Sequence, residues 1–179
     1  MSIAKGEKLK QVFADRWKKG VKRELLVWNI INLYLPEDYI ALFTGIGSGS
    51  GEYVNGNYDN PLNAFDIVVF DKRLWIPVAF IEITGVDRAS DMAKHKGLCI
   101  GAWKIYKAEK FKVTDRVWYI HVLTSKASIR VINHYKLKKK AKFTVLHEGY
   151  GLYGKFYCLD SKYWDDIDTF LKWLMVKRK

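Results

Sequence analysis

Residues 64–85 read AFDIVVFDKRLWIPVAFIEITG, and the fold turns on how this stretch is read. Residues 64–70 and 75–84 are rich in Val, Ile and Phe, with Asp71, Lys72 and Arg73 between them, which predicts two strands joined by a short basic turn. Both runs are apolar on both faces, as strands buried within a sheet are. Each nonetheless carries one carboxylate, Asp66 near the start of the first and Glu82 near the end of the second. Taking a carboxylate out of water is costly unless a cation meets it. In an antiparallel hairpin the start of one strand lies beside the end of the next, so the two acids fall side by side. There they repel unless a proton or a cation intervenes. A divalent metal suits the position, because Mg²⁺ takes one or two carboxylates and completes its shell with water and substrate phosphate. Taken singly, each acid also has a structural reading: Asp66 capping a turn, Glu82 paired with a core arginine.

The chain has 179 residues, 49% of them hydrophobic and 15% aromatic. That predicts one globular domain, residues 1–179, with a substantial core. The net charge of +12 and pI of 9.6 point to a polyanionic partner, nucleic acid before an anionic membrane surface. A Lys-rich surface with Gln11 as the sole glutamine also fits a thermophile. Cys99 and Cys158 have no CxxC partner, which argues against a zinc knuckle and predicts reduced thiols in a cytoplasmic, intracellular protein. No signal peptide and no membrane-spanning run is expected.

Outward from the hairpin, residues 5–35 predict one helix: Leu9, Val12, Phe13, Trp17, Val21, Leu25 and Trp28 recur at helical spacing, and Pro36 stops it. Glu24 stands among cations on this helix, either as a surface ion pair with a neighbour or as a third acid delivered to the Asp66–Glu82 pair. Residues 38–45 predict a strand. The glycine-rich segment 45–51 is followed by no helical pattern, so it reads as a loop rather than a dinucleotide fingerprint. Residues 87–96 permit a short helix that carries Lys94, His95 and Lys96. Residues 97–108 read as a strand with Trp103 and Tyr106 interleaved with Lys104 and Lys107. Strands follow at 116–123 and 128–133, then a basic run over 134–142 that reads as a solvated loop or edge, or as a phosphate-contacting arm. A hairpin over 143–147 and 155–159 and an amphipathic helix over 160–179 close the chain. In that helix Trp164, Ile167, Phe170, Leu171 and Leu174 face inward, and Asp165, Asp166 and Asp168 sit at its start. The sum is an α/β domain with one central mixed β-sheet flanked by helices.

A helix Glu, then a strand Asp, then E-x-K on the next strand is the layout of the PD-(D/E)XK nuclease superfamily. This chain resembles it through Glu24, then Phe65-Asp66, then Glu82-Ile83-Thr84. The helix glutamate and the length are similar to archaeal Holliday-junction resolvases and small nucleases of archaeal viruses and plasmids. The resemblance spans residues 5–106. It implies a restriction-endonuclease-like fold and a catalytic Asp66 and Glu82 that bind Mg²⁺ or Mn²⁺. It also implies a ligand from the Ile83 carbonyl, and Glu24 binding the metal directly or through water. The metal would polarise the scissile phosphate and activate a water for in-line hydrolysis. Thr84 departs from the pattern, because it stands where the family has a lysine and carries no charge. The resemblance therefore asks for a lysine from elsewhere, with Lys96 or Lys94 ahead of Lys104, or His95 as base.

Two functions of different class follow. One is a metal-dependent DNA endonuclease acting on branched or otherwise structured DNA. It would be a homodimer, since a junction needs paired cuts, and would be virus- or plasmid-encoded in an archaeal host. The other is a non-catalytic nucleic-acid-binding protein that keeps a degenerate nuclease fold. A membrane or protein-interaction module is a weaker third.

Overall fold

The computed structural model describes residues 3–45, 59–87, 97–126, 128–149 and 152–176, with side chains from residue 15 onward and outside 147–152. A long helix α1 (Ile3–Tyr34) leads into β1 (Tyr39–Phe43), and a helical turn α2 (Pro61–Ala64) leads into β2 (Ile67–Asp71) and β3 (Ile76–Val86). Then come β4 (Leu98–Gly101), α3 (Ala102–Lys110), β5 (Val117–Leu123), β6 (Ser128–Asn133) and α4 (His134–Lys140). A hairpin of β7 (Lys142–Gly149) and β8 (Leu152–Leu159), a short β9 (Asp165–Asp166) and α5 (Ile167–Val176) complete the chain.

The stretch around Asp66 and Glu82 forms the expected antiparallel hairpin, with Ile67 opposite Ile81 and Asp71 opposite Ile76. Its basic turn is closed by Arg73, whose guanidinium donates to Asp71 at 2.6 Å and holds that carboxyl down to about 2. Among the described residues, six strands make the central sheet in the order β1-β2-β3-β5-β6-β9. Of its described pairs β3–β5 alone is parallel, so the sheet is mixed.

Because side chains alternate along a strand, each strand feeds two cores. Ile67, Val69, Ile81, Ile83, Ile120 and Val122 face Val27 and Ile31 of α1 and Phe170 and Leu174 of α5. Val68, Phe80 and Tyr119 face the other way, toward Ile105 and Ala108 of α3, Leu137 of α4 and Ile100 of β4. Asp66 and Glu82 share the parity of Val68 and Phe80, so they belong to the α3 side. The helix α1 approaches the sheet closely at Gly85, where a Cβ would lie 2.2 Å from the Val122 carbonyl oxygen and 2.9 Å from Arg23 Cδ.

The central mixed sheet is as expected, and a three-stranded sheet in the order β4-β8-β7 accompanies it among the described residues. Several local expectations are corrected. Residues 102–108 belong to a helix rather than a strand. Ala102, Ile105 and Ala108 are buried at three-residue spacing while Trp103 and Tyr106 remain exposed, and helical spacing wins over the aromatic–lysine alternation. Residues 134–140 are likewise a helix rather than a loop: Asn133 caps it by accepting from the Lys136 amide at 2.8 Å, and His134 and Leu137 face the core. Asp165 and Asp166 form a strand edge instead of opening the last helix, and pair with Lys136 and Arg130. Finally, Cys99 and Cys158 are not reduced thiols but a disulfide. They sit directly opposite each other on β4 and β8, a register that no local motif announces. Residues 46–58 and 88–96, and with them most of the glycine-rich loop and the expected short helix, lie outside the described residues.

His121 on β5 is buried against the edge of Trp164. Burial, with the charge of Arg23 adding to it, pushes its pKa down from 6.5 to about 4. The folded state thus keeps the imidazole neutral while the unfolded chain takes up its proton at higher pH. Stability is fully present above the ordinary histidine value and is lost as pH falls through 6.5 toward 4. The melting temperature is expected to drop across that window, and His121→Gln should flatten the drop. An unchanged slope in thermal melts of the variant would assign the acid sensitivity to another group.

Candidate active site

The site is assembled where the β2–β3 hairpin meets α3. Asn60 caps the α2 turn by accepting from the Leu62 and Asn63 amides at 2.8 and 3.1 Å. That turn delivers Asp66 to the edge of β2, where its Oδ2 accepts the Ile83 backbone N–H at 2.7 Å. Glu82, fully buried, projects from β3 on the same face. Lys104, in the first turn of α3, reaches down to both. Its Nζ lies 3.2 Å from Asp66 Oδ2 and 2.5 Å from Glu82 Oε2, and it donates to the Ile83 carbonyl at 2.8 Å. Three oxygens from two strands therefore converge on one ammonium.

Lys107, three residues on along the same helix face, takes the other side of Glu82. It pairs with Oε1 and donates to the Ala64 carbonyl. Its ammonium also lies 5.0 Å from the Phe65 ring and 4.9 Å from the Trp103 ring. Glu82 is thus enclosed between two cations. Burial, and after it the neighbouring Asp66 charge, push the Glu82 pKa up; the two ammoniums pull against them. Burial also works to lower the Lys104 pKa, but the Asp66 and Glu82 carboxylates outweigh it and leave that ammonium raised and firmly charged. Neither Glu82 oxygen has a hydrogen bond of ordinary geometry, so its partners act mainly through charge.

Of the residues singled out in the sequence, the structure brings Asp66, Glu82, the Ile83 carbonyl and Lys104 together. Glu24 lies on α1, which packs on the opposite face of the sheet, and lines a cavity of about 390 Å³ with Ile83, Thr84 and Lys104. Thr84 carries no ammonium to the site and instead pairs with His121 across to β5. Lys94, His95 and Lys96 lie outside the described residues. Lys107 went unrecognised as a site residue. The signal for it was present, because Lys104 and Lys107 share one face only if 102–110 is helical, whereas as a strand they point to opposite sides.

Among the described residues no three His, Cys, Asp or Glu side chains sit close enough to share a metal ion. The donor set that does converge is two carboxylates and one carbonyl, all hard oxygens of the kind that Mg²⁺ and Mn²⁺ take. The ammonium of Lys104 stands in for a cation at their centre. The residues present therefore fit a divalent ion that would keep several positions for water or phosphate.

A family model described as Viral/Archaeal nuclease matches residues 20–171. Among solved structures, D212, a nuclease from a fusellovirus, superposes with a TM-score of 0.56 at 20% identity, covering 83% of this chain and 88% of that one. Hjc, a Holliday junction resolvase from Archaeoglobus fulgidus, gives a TM-score of 0.46 at 15% identity over 85% of this chain and 99% of that one. No curated protein matches the chain.

Proposed function

The chain belongs to the viral/archaeal nuclease family, and on that premise we propose that it is a divalent-metal-dependent DNA endonuclease acting on branched or otherwise structured DNA. The observation that carries this reading is the convergence of Asp66, Glu82, the Ile83 carbonyl and Lys104 beside a cation-lined cavity. Asp66, Glu82 and the Ile83 carbonyl would hold Mg²⁺ or Mn²⁺, with Glu24 reaching the ion through water. The bound ion would supply Lewis-acid polarisation of the phosphate and a lowered pKa for the attacking water. Lys104 does from α3 what the family lysine does from the position of Thr84: it offsets negative charge at the phosphate. Lys107 keeps Glu82 neutralised within the core and takes no part in the reaction.

A homodimer follows from the need for paired cuts on a junction. No described helix is long and apolar enough to cross a membrane. An archaeal, virus- or plasmid-borne origin accommodates the disulfide inside a cell, since intracellular disulfides occur in hyperthermophilic hosts. The degenerate-nuclease reading is favoured by one observation: Thr84 cannot replace the lysine, and Lys104 fills the centre of the oxygen set.

The test is to incubate supercoiled, linear and four-way-junction DNA with the protein, with and without Mn²⁺, beside Asp66→Ala. Cleavage that needs Mn²⁺ and is lost in Asp66→Ala while DNA binding persists supports the nuclease. Cleavage that survives the substitution removes Asp66 from the mechanism. Binding with no metal-dependent turnover leaves the non-catalytic reading standing.

A further inference from the structure

The cavity beside the acids holds a feature that phosphate hydrolysis does not require. We propose that it is a subsite for one unpaired nucleotide, with the base stacked on Trp103; this rests on the nuclease reading above for the identity of the polymer. At about 390 Å³ the cavity has the size of a small-ligand site. A double helix, whose major groove alone is about 12 Å wide, is too broad to enter it.

The lining is strongly cationic, with Arg16, Arg23, Lys104 and Lys155 against the single acid Glu24. Aromatic rings come from Trp103 and Phe156. Trp103 is 56% exposed although its neighbours Ala102 and Ile105 are buried. Gly101 lies beneath its indole, where a Cβ would come within 2.8 Å of Nε1, so a side chain at that position would push the ring away. The Lys104 and Lys107 ammoniums sit 5.1 and 4.9 Å from its centroid. An aromatic ring open to water, next to a groove of positive charge, is the arrangement by which proteins bind single-stranded nucleic acid. Bases stack on the ring and cations follow the backbone.

The substrates this selects are strand ends, flaps and nucleotides extruded at a branch, because each presents a base free of its partner. Intact duplex would meet only the outer cations. Extruding a base costs least where pairing is already absent, so the preference arises before chemistry begins. Trp103 acts here as a specificity residue, and the reacting phosphate lies with Asp66, Glu82 and Lys104.

The experiment is fluorescence anisotropy in EDTA with a short oligothymidylate and a blunt duplex of the same length. It uses the wild-type protein, Trp103→Ala and Trp103→Phe. Wild type is expected to bind the single strand more tightly than the duplex. Trp103→Ala should lose about 5- to 100-fold of the single-strand affinity and little of the duplex affinity, and Trp103→Phe should recover most of the loss. Equal affinity of wild type for both ligands, an equal loss on both in Trp103→Ala, or no loss at all would overturn the subsite. Because no metal is present, the outcome is independent of whether Asp66→Ala abolishes cleavage, and the two readings can fail separately.

Discussion

Glu82→Ala is expected to abolish cleavage and also to destabilise the protein by about 3–5 kcal/mol, the cost typical of removing one partner from a buried ion pair. For a domain of this size that is a fall in melting temperature of about 6–20 °C. The cause lies in Lys107. Lys104 keeps Asp66 and the Ile83 carbonyl when Glu82 is gone, but Lys107 is left in the core with the Ala64 carbonyl and two aromatic rings. Neutralising it should therefore restore stability and leave activity lost. The double variant Glu82→Leu with Lys107→Leu, which fills the volume with apolar side chains, is expected to melt close to wild type. Calorimetry of the single and double variants decides the matter. If Glu82→Ala melts like wild type, the two lysines find other partners and the buried pair has no structural part.

Lys104→Met should act mainly on chemistry, with a smaller cost to folding because Glu82 keeps Lys107. Removing a positioned charge of this kind lowers cleavage by about 10²–10³-fold, while Asp66 and Glu82 lose a counter-ion that a divalent cation can replace. The same ammonium now occupies the point where three oxygens meet, so it and a metal ion compete for those oxygens. Mn²⁺ should therefore bind Lys104→Met more tightly, on the order of tenfold, equivalent to about 1.4 kcal/mol. Titration followed by electron paramagnetic resonance reads this without any reliance on turnover. Weaker or unchanged Mn²⁺ affinity would mean that the lysine and the ion do not share the site. Lys104→Arg is a poor substitute, because the broad planar guanidinium does not fit where a compact ammonium reaches three oxygens.

The features legible in the sequence were those with a short period. Two short apolar runs, rich in Val, Ile and Phe on both faces, exposed the β2–β3 hairpin, and the two acids inside it stood out because nothing apolar explains them. Helical spacing made α1 readable, and the mixed sheet followed from the order of elements. Two kinds of information were hidden. The first is a conflict between periods: Trp103, Lys104, Tyr106 and Lys107 imitate an exposed strand, and only Ala102, Ile105 and Ala108 disclose the helix that turns both lysines toward Glu82. The second is register between distant strands. Nothing near Cys99 points to Cys158, 59 residues away, and nothing near Glu24 tells that its helix covers the far side of the sheet.

The covalent bond between β4 and β8 has a consequence for the cleft. Below Cys99, β4 runs through Gly101 into Trp103 and Lys104; beyond it, β8 contributes Gly154, Lys155 and Phe156, with Gly101 paired to Phe156. These two neighbouring strands form one wall of the opening and are joined covalently two to five positions from the residues that line it. That wall is held by a bond that heat does not loosen, while the rest of the mouth, lined by Arg16, Gly20, Arg23 and Glu24 of α1, is held by packing alone. A thiol reductant is the agent that releases this constraint.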